Sequence, residues 1–157
     1  MISNKYLLGL MVAMPLLLAA CHKFTGGGWI DGLNGGKANI GFTAQCEDTE
    51  EGVVVLGQLQ YNDKSAGVRF HGEFEYYDGF VESCHHLDDS LPYQATLAGS
   101  CKTQPGNVEG VFNMLVSDFD ADGLPDNIFL NTDCTPDGVG YVHSGDLRGG
   151  NITSHKK

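Results

Sequence analysis

Residues 68 to 77 constrain the fold most. Val68, Phe70, Gly72, Phe74 and Tyr76 alternate with Arg69, His71, Glu73, Glu75 and Tyr77. Successive side chains of an extended strand point to opposite faces, so this pattern buries one face of a strand and could not line one stripe of a helix. The same period recurs in residues 37–45, where Ala38, Ile40, Phe42 and Ala44 alternate with Lys37, Asn39, Thr43 and Gln45. It recurs again in Tyr93, Ala95, Leu97, Gly99 and Cys101. Three consecutive valines open a strand over 53–61, and residues 62–67 are a cluster of turn formers. Residues 111–116, 128–130, 141–143 and 147–152 supply further short strands. No window carries a 3.6-residue period. The expectation is an all-β domain, an antiparallel sandwich or barrel of about eight short strands.

The chain opens differently. Lys5 precedes an apolar run over residues 6–18, which ends in Leu18-Ala19-Ala20-Cys21. A short basic start, an apolar stretch and small residues before a cysteine form a lipoprotein export signal. The run is shorter than the roughly 20 residues a membrane span needs. Cleavage is therefore expected before Cys21, with acyl groups attached to that cysteine. The expected organisation is a signal peptide over 1–20, the lipidated Cys21 with a glycine-rich tether over 21–36, and a single all-β domain over 37–157. The setting is the bacterial cell envelope. His22 stands where an Asp would signal inner-membrane retention, which favours the outer membrane.

The formal net charge is −11, from 20 acids and 9 Lys or Arg. No basic patch is present, so nucleic acid is not an expected partner. Beyond Cys21 the cysteines are Cys46, Cys84, Cys101 and Cys134, an even number that suits two disulfides in an exported chain. Cys46 and Cys101 share the apolar parity of their strands, while Cys84 and Cys134 sit in polar loops. Partners should share an environment, so the expected pairs are Cys46–Cys101 and Cys84–Cys134.

Several landmarks follow one another along the chain: Gly26-Gly27-Gly28-Trp29-Ile30, Gly36-Lys37-Ala38-Asn39-Ile40-Gly41-Phe42, Gly57-Gln58-Leu59-Gln60-Tyr61-Asn62-Asp63, Phe70-His71-Gly72 and Leu147-Arg148-Gly149-Gly150-Asn151-Ile152. As a set they resemble a family of all-β domains of secreted and surface bacterial proteins. The resemblance spans nearly the whole chain after the signal. It implies a fold type and an extracellular setting, and it carries over no catalytic residue.

Two constellations could carry chemistry. Asp118, Asp120 and Asp122 alternate, followed by Gly123, Leu124 and Asp126. These match the first nine positions of a calcium loop, with the Leu124 carbonyl as a further oxygen. Phe129 occupies the twelfth position, where an EF-hand needs a bidentate Glu. The expected Ca²⁺ site is thus a weak one, with Kd about 10⁻⁴ to 10⁻³ M. A plain acidic turn uses the same residues. The second constellation is the polar face of residues 68–77, formed by Arg69, His71, Glu73, Glu75 and Tyr77. Glu73 and Glu75 could serve as the two carboxylates of a glycoside hydrolase, but catalysis needs a cleft that perturbs them, and a solvated sheet face is the ordinary role. The expected function is therefore a lipid-anchored, non-catalytic structural or binding protein of the envelope. The alternative is a calcium-dependent module for envelope polysaccharide or protein, and more remotely a hydrolase.

Overall fold

The computed structural model describes residues 22–49, 52–75, 93–119 and 123–155. The signal segment, Cys21, Cys84, Tyr77, Asp120 and Asp122 lie outside the described residues. Nine strands form one antiparallel sheet. They are β1 (His22–Asp31), β2 (Lys37–Thr49), β3 (Gly52–Asp63), β4 (Val68–Phe74), β5 (Tyr93–Thr103), β6 (Glu109–Asp118), β7 (Asn127–Thr132), β8 (Tyr141–Asp146) and β9 (Gly149–His155). Their order is β8-β7-β6-β5-β4-β3-β2-β1-β9, a meander in which the last strand returns to pair with the first. The sheet curls into a half-barrel, so the choice between sandwich and barrel falls to a single curved sheet.

Curling puts one parity of every strand inside. Ala38, Ile40, Phe42 and Ala44 of β2 are buried, as are Val68, Phe70 and Phe74 of β4, in the parity the sequence pattern requires. Phe74, Phe112, Phe70, Tyr61 and Tyr141 form a continuous aromatic spine, with neighbouring ring centroids 5.5 to 6.0 Å apart. Such pairs contribute about 0.5–1.5 kcal/mol each beyond the burial of their area. The spine fits because Gly72 is inward and side-chain-free, and the Phe112 ring occupies that space. Gly57 has φ 147°, and a Cβ there would run into the Thr43 carbonyl of β2. That close approach of β3 to β2 is open only to glycine.

Within the expected tether, residues 22–31 are instead part of the sheet. Residues 22–31 form β1, paired along its length with β2 and with β9. Phe24 and Ile30 are buried, and the inward positions between them are Gly26 and Gly28. The missing side chains are replaced by neighbours: Phe42 and Ile152 fill the space at Gly26, and Leu147 that at Gly28. The glycines admit bulk from the adjoining strands, and the domain begins at β1 instead of residue 37.

The disulfide pairing also differs from the expected one. Cys101 bonds Cys134, with their Cα atoms 6.1 Å apart. Cys101 lies opposite Gly110 in the β5–β6 register, and Cys134 lies two residues past the end of β7. Gly110 has no side chain to separate them; a Cβ there would stand 3.2 Å from the Cys134 sulfur. Both sulfurs are in the core, so Cys134 is not the polar-loop residue its Thr135 neighbour suggested. A non-reducing proteolytic digest is expected to yield a Cys101–Cys134 peptide. A Cys46–Cys101 peptide in its place would overturn the pairing.

Candidate functional site

The outward face of the sheet is polar and in register across strands. On β4, Arg69 and Glu73 are exposed and His71 is half-buried. Arg69 stands opposite Asn62 of β3, His71 opposite Gln60, and Glu73 opposite Gln58. One strand further, Asn62 faces Asn39, Gln60 faces Gly41, and Gln58 faces Thr43. On the other side, His71 faces Lys102 and Glu73 faces Ser100 of β5. The structure therefore brings Arg69, His71 and Glu73 onto one surface, as their parity requires, and adds a broad field of amides beside them. Glu75 is exposed just past the end of β4. Hydrolytic acid/base work needs two carboxylates facing a shared, desolvated space. The cavity that Glu73 borders is lined also by His71, Lys102 and Glu109, and Glu75 is not part of it.

The aspartate loop divides its carboxylates. Asp118 and Asp126 are buried at 8% and 5% exposure. Asp126 accepts hydrogen bonds from the Phe119 N–H at 3.0 Å and from the Ile152 N–H at 2.6 Å. Asp118 accepts from the Ser154 N–H at 2.8 Å. Ile152 and Ser154 lie two apart on β9, so their amides point to the same edge, the one away from β1. An open strand edge presents unpaired N–H groups. Here two carboxylates cover them from across the half-barrel, and the Leu147 N–H adds a bond to the Asp126 carbonyl at 2.8 Å. The sheet is thus closed by side chains where backbone pairing stops. For calcium this means that Asp118 and Asp126 already serve as acceptors. An ion in the loop would draw on Asp120, Asp122 and the Leu124 carbonyl, or would share the seam carboxylates.

A third cluster was not visible as a motif. Tyr61 and Asp63 lie on the inward parity of β3, and Tyr141 and His143 on that of β8. All four are buried. Tyr141 donates its hydroxyl proton to Asp63 Oδ2 at 2.9 Å. Having one proton, it can only accept from Tyr61, 2.8 Å away, and from His143 Nδ1, at 3.0 Å. Tyr61 and His143 Nδ1 are 2.9 Å apart. Burial pushes the Tyr61 phenol up, against the lowering effect of its hydrogen bond with Tyr141, and burial followed by Tyr61 pushes Tyr141 up. Asp63 is fully buried yet acidic. Burial alone would raise it, but hydrogen bonds from Ser65, Leu33, Tyr141 and Ala66 outweigh that and hold it at about 2. The signal that could have found this cluster is polar residues on core parity, which native interiors accept only when paired.

Cys101, Asp133 and Cys134 gather their ligand atoms within 4.8 Å of one another. The two sulfurs are bonded to each other, so that group offers no thiolate to a metal. Comparison with protein-family models, with curated proteins and with solved structures found no match.

Proposed function

We propose that this protein is a lipid-anchored, non-catalytic binding module of the bacterial cell envelope, with its ligand surface on the outward face of β2 to β5. The lipid anchor is supported by the Leu18-Ala19-Ala20-Cys21 box. The binding role is supported by one observation above others: exposed Arg69, Gln60, Gln58, Asn39 and Thr43 project from adjacent strands in register, with no covering element among the described residues. A rigid sheet holding uncommitted polar side chains in fixed rows suits recognition. The buried polar groups, by contrast, are all engaged in holding the fold together.

Two measurements test this reading. Cys21→Ser should release the protein from the membrane fraction; a variant that fractionates and migrates as the parent does would remove the anchor from the proposal. The soluble Cys21→Ser form should co-sediment with envelopes from cells lacking the native protein. Adding Arg69→Glu and His71→Glu should reduce the bound fraction at least fivefold. Equal sedimentation of the two forms would show that this face is not the ligand surface.

A further inference from the structure

The outward face has a cavity of about 540 Å³ over β2, β3 and β4. Its polar walls are Asn39, Thr43, Gln58, Gln60, Asn62, Arg69 and Gln104, and Ile40, Phe42, Leu59, Tyr61 and Phe70 of the same strands also line it. Its floor is Gly41, where a Cβ would meet nothing within 4 Å. Gly41 is paired with Gly27 of β1, so two adjoining strands lack an outward side chain at the same level. This trough lies over β2, β3 and β4, and Gln60 of β3 stands opposite Gly41 at its floor.

The chemistry of the lining is selective. The chain holds 20 acids, yet among the described residues no carboxylate borders the trough, and Arg69 is its one charge. The other exposed or half-buried polar side chains of the lining are carboxamides and one hydroxyl, and none of those side chains hydrogen-bonds another described residue. A carboxamide presents donors and an acceptor together, as a sugar hydroxyl does, so each can exchange paired bonds with a vicinal diol. A polycation would find no acid here, and a polyanion only one guanidinium, within a strongly negative protein. A peptide adding as a strand would need an open edge, whereas the trough lies on a face whose strands are already paired.

We infer that the trough over Gly41 binds a neutral polysaccharide chain, laid across β2 to β4. This rests on the binding-module reading and names the ligand class of the same face.

Trp29 gives a direct readout. It is the only tryptophan in the chain, it lies on the outward face opposite Asn39, and Lys37 Nζ stands 4.1 Å from its ring centroid. The mature protein in detergent would be titrated with tetrasaccharides of glucose, of mannose and of N-acetylglucosamine, and with tetragalacturonate as the anionic counterpart. At least one neutral tetrasaccharide is expected to change Trp29 fluorescence saturably. Gln60→Ala should weaken that binding at least tenfold, and Gly41→Leu should abolish it. Position 41 has open space outward, so Gly41→Leu should keep the parent's thermal unfolding, and Glu73→Gln, outside the trough, should keep the parent's affinity. Sedimentation with the same sugars immobilised on beads covers the case in which Trp29 does not respond. The inference is overturned if no neutral sugar binds by either readout, if only tetragalacturonate binds, or if Gly41→Leu binds as the parent does. If envelopes still retain the protein through Arg69 and His71 while every neutral sugar fails, the binding-module reading stands and the polysaccharide assignment alone falls.

Discussion

Asp126→Ala is expected to lower the unfolding free energy by about 4 kcal/mol, since each buried amide left without an acceptor costs roughly 1–3 kcal/mol. The substitution would orphan the Phe119 and Ile152 N–H groups together, at a position only 5% exposed. Asp126→Asn keeps one acceptor oxygen but turns an NH₂ group toward a backbone donor, so it should cost less than alanine and still more than about 1 kcal/mol. Urea unfolding monitored by Trp29 would give the values. Amide exchange at Ile152 should accelerate selectively, because that N–H loses its only cover on the seam. The measurement should be made in chelator and again in millimolar calcium. A loss that persists in chelator identifies the seam as the role of this carboxylate. A loss confined to calcium would mean that Asp126 acts through an ion, and a change below about 0.5 kcal/mol under both conditions would refute the seam.

The second large effect concerns acid. Asp63 has its carboxyl held at about 2, below the ordinary value of 3.8. A carboxylate whose pKa is depressed by folding contributes stability above its unfolded pKa and loses it as pH falls through the folded one. The contribution is therefore complete above about pH 4 and disappears between about pH 4 and pH 2, with a size of about 2 kcal/mol. Asp63→Asn should flatten the acid arm of the stability profile in that window. Asp63→Ala should be worse at all pH values, since Leu33, Ser65 and Ala66 all donate backbone bonds to this carboxylate. An unchanged acid arm in Asp63→Asn would show that other carboxylates govern acid unfolding.

The strands that alternate strongly were legible, because burial on one face leaves a two-residue period that no other element imitates. β4 and β2 follow that logic residue by residue. β1 was not legible because its inward positions between Phe24 and Ile30 are glycine: the core is filled there by Phe42, Ile152 and Leu147 from elsewhere in the chain, so the inward parity carries no apolar mark over that stretch. The Cys101–Cys134 bond was hidden for a related reason. It depends on register, which sets Gly110 beside Cys101, and register is a long-range property that spacing along the chain does not express. The outward face was read from parity on one strand, but its breadth comes from three neighbours whose alignment only the sheet shows. The buried Tyr61, Asp63, Tyr141 and His143 cluster joins strands 80 residues apart and has no local signature.

That β1 starts at His22, immediately after Cys21, has a mechanical consequence. A protein held to a bilayer through Cys21 would have no stalk. Its half-barrel would sit close to the headgroups. Ten residues of β1 at about 3.3 Å each span roughly 33 Å, so Trp29 and the rows level with it lie no more than about 30 Å above the acyl boundary. A ligand of the sheet face would then be met at close range, on a platform that would hold its cargo near the membrane and could not cast for it at a distance.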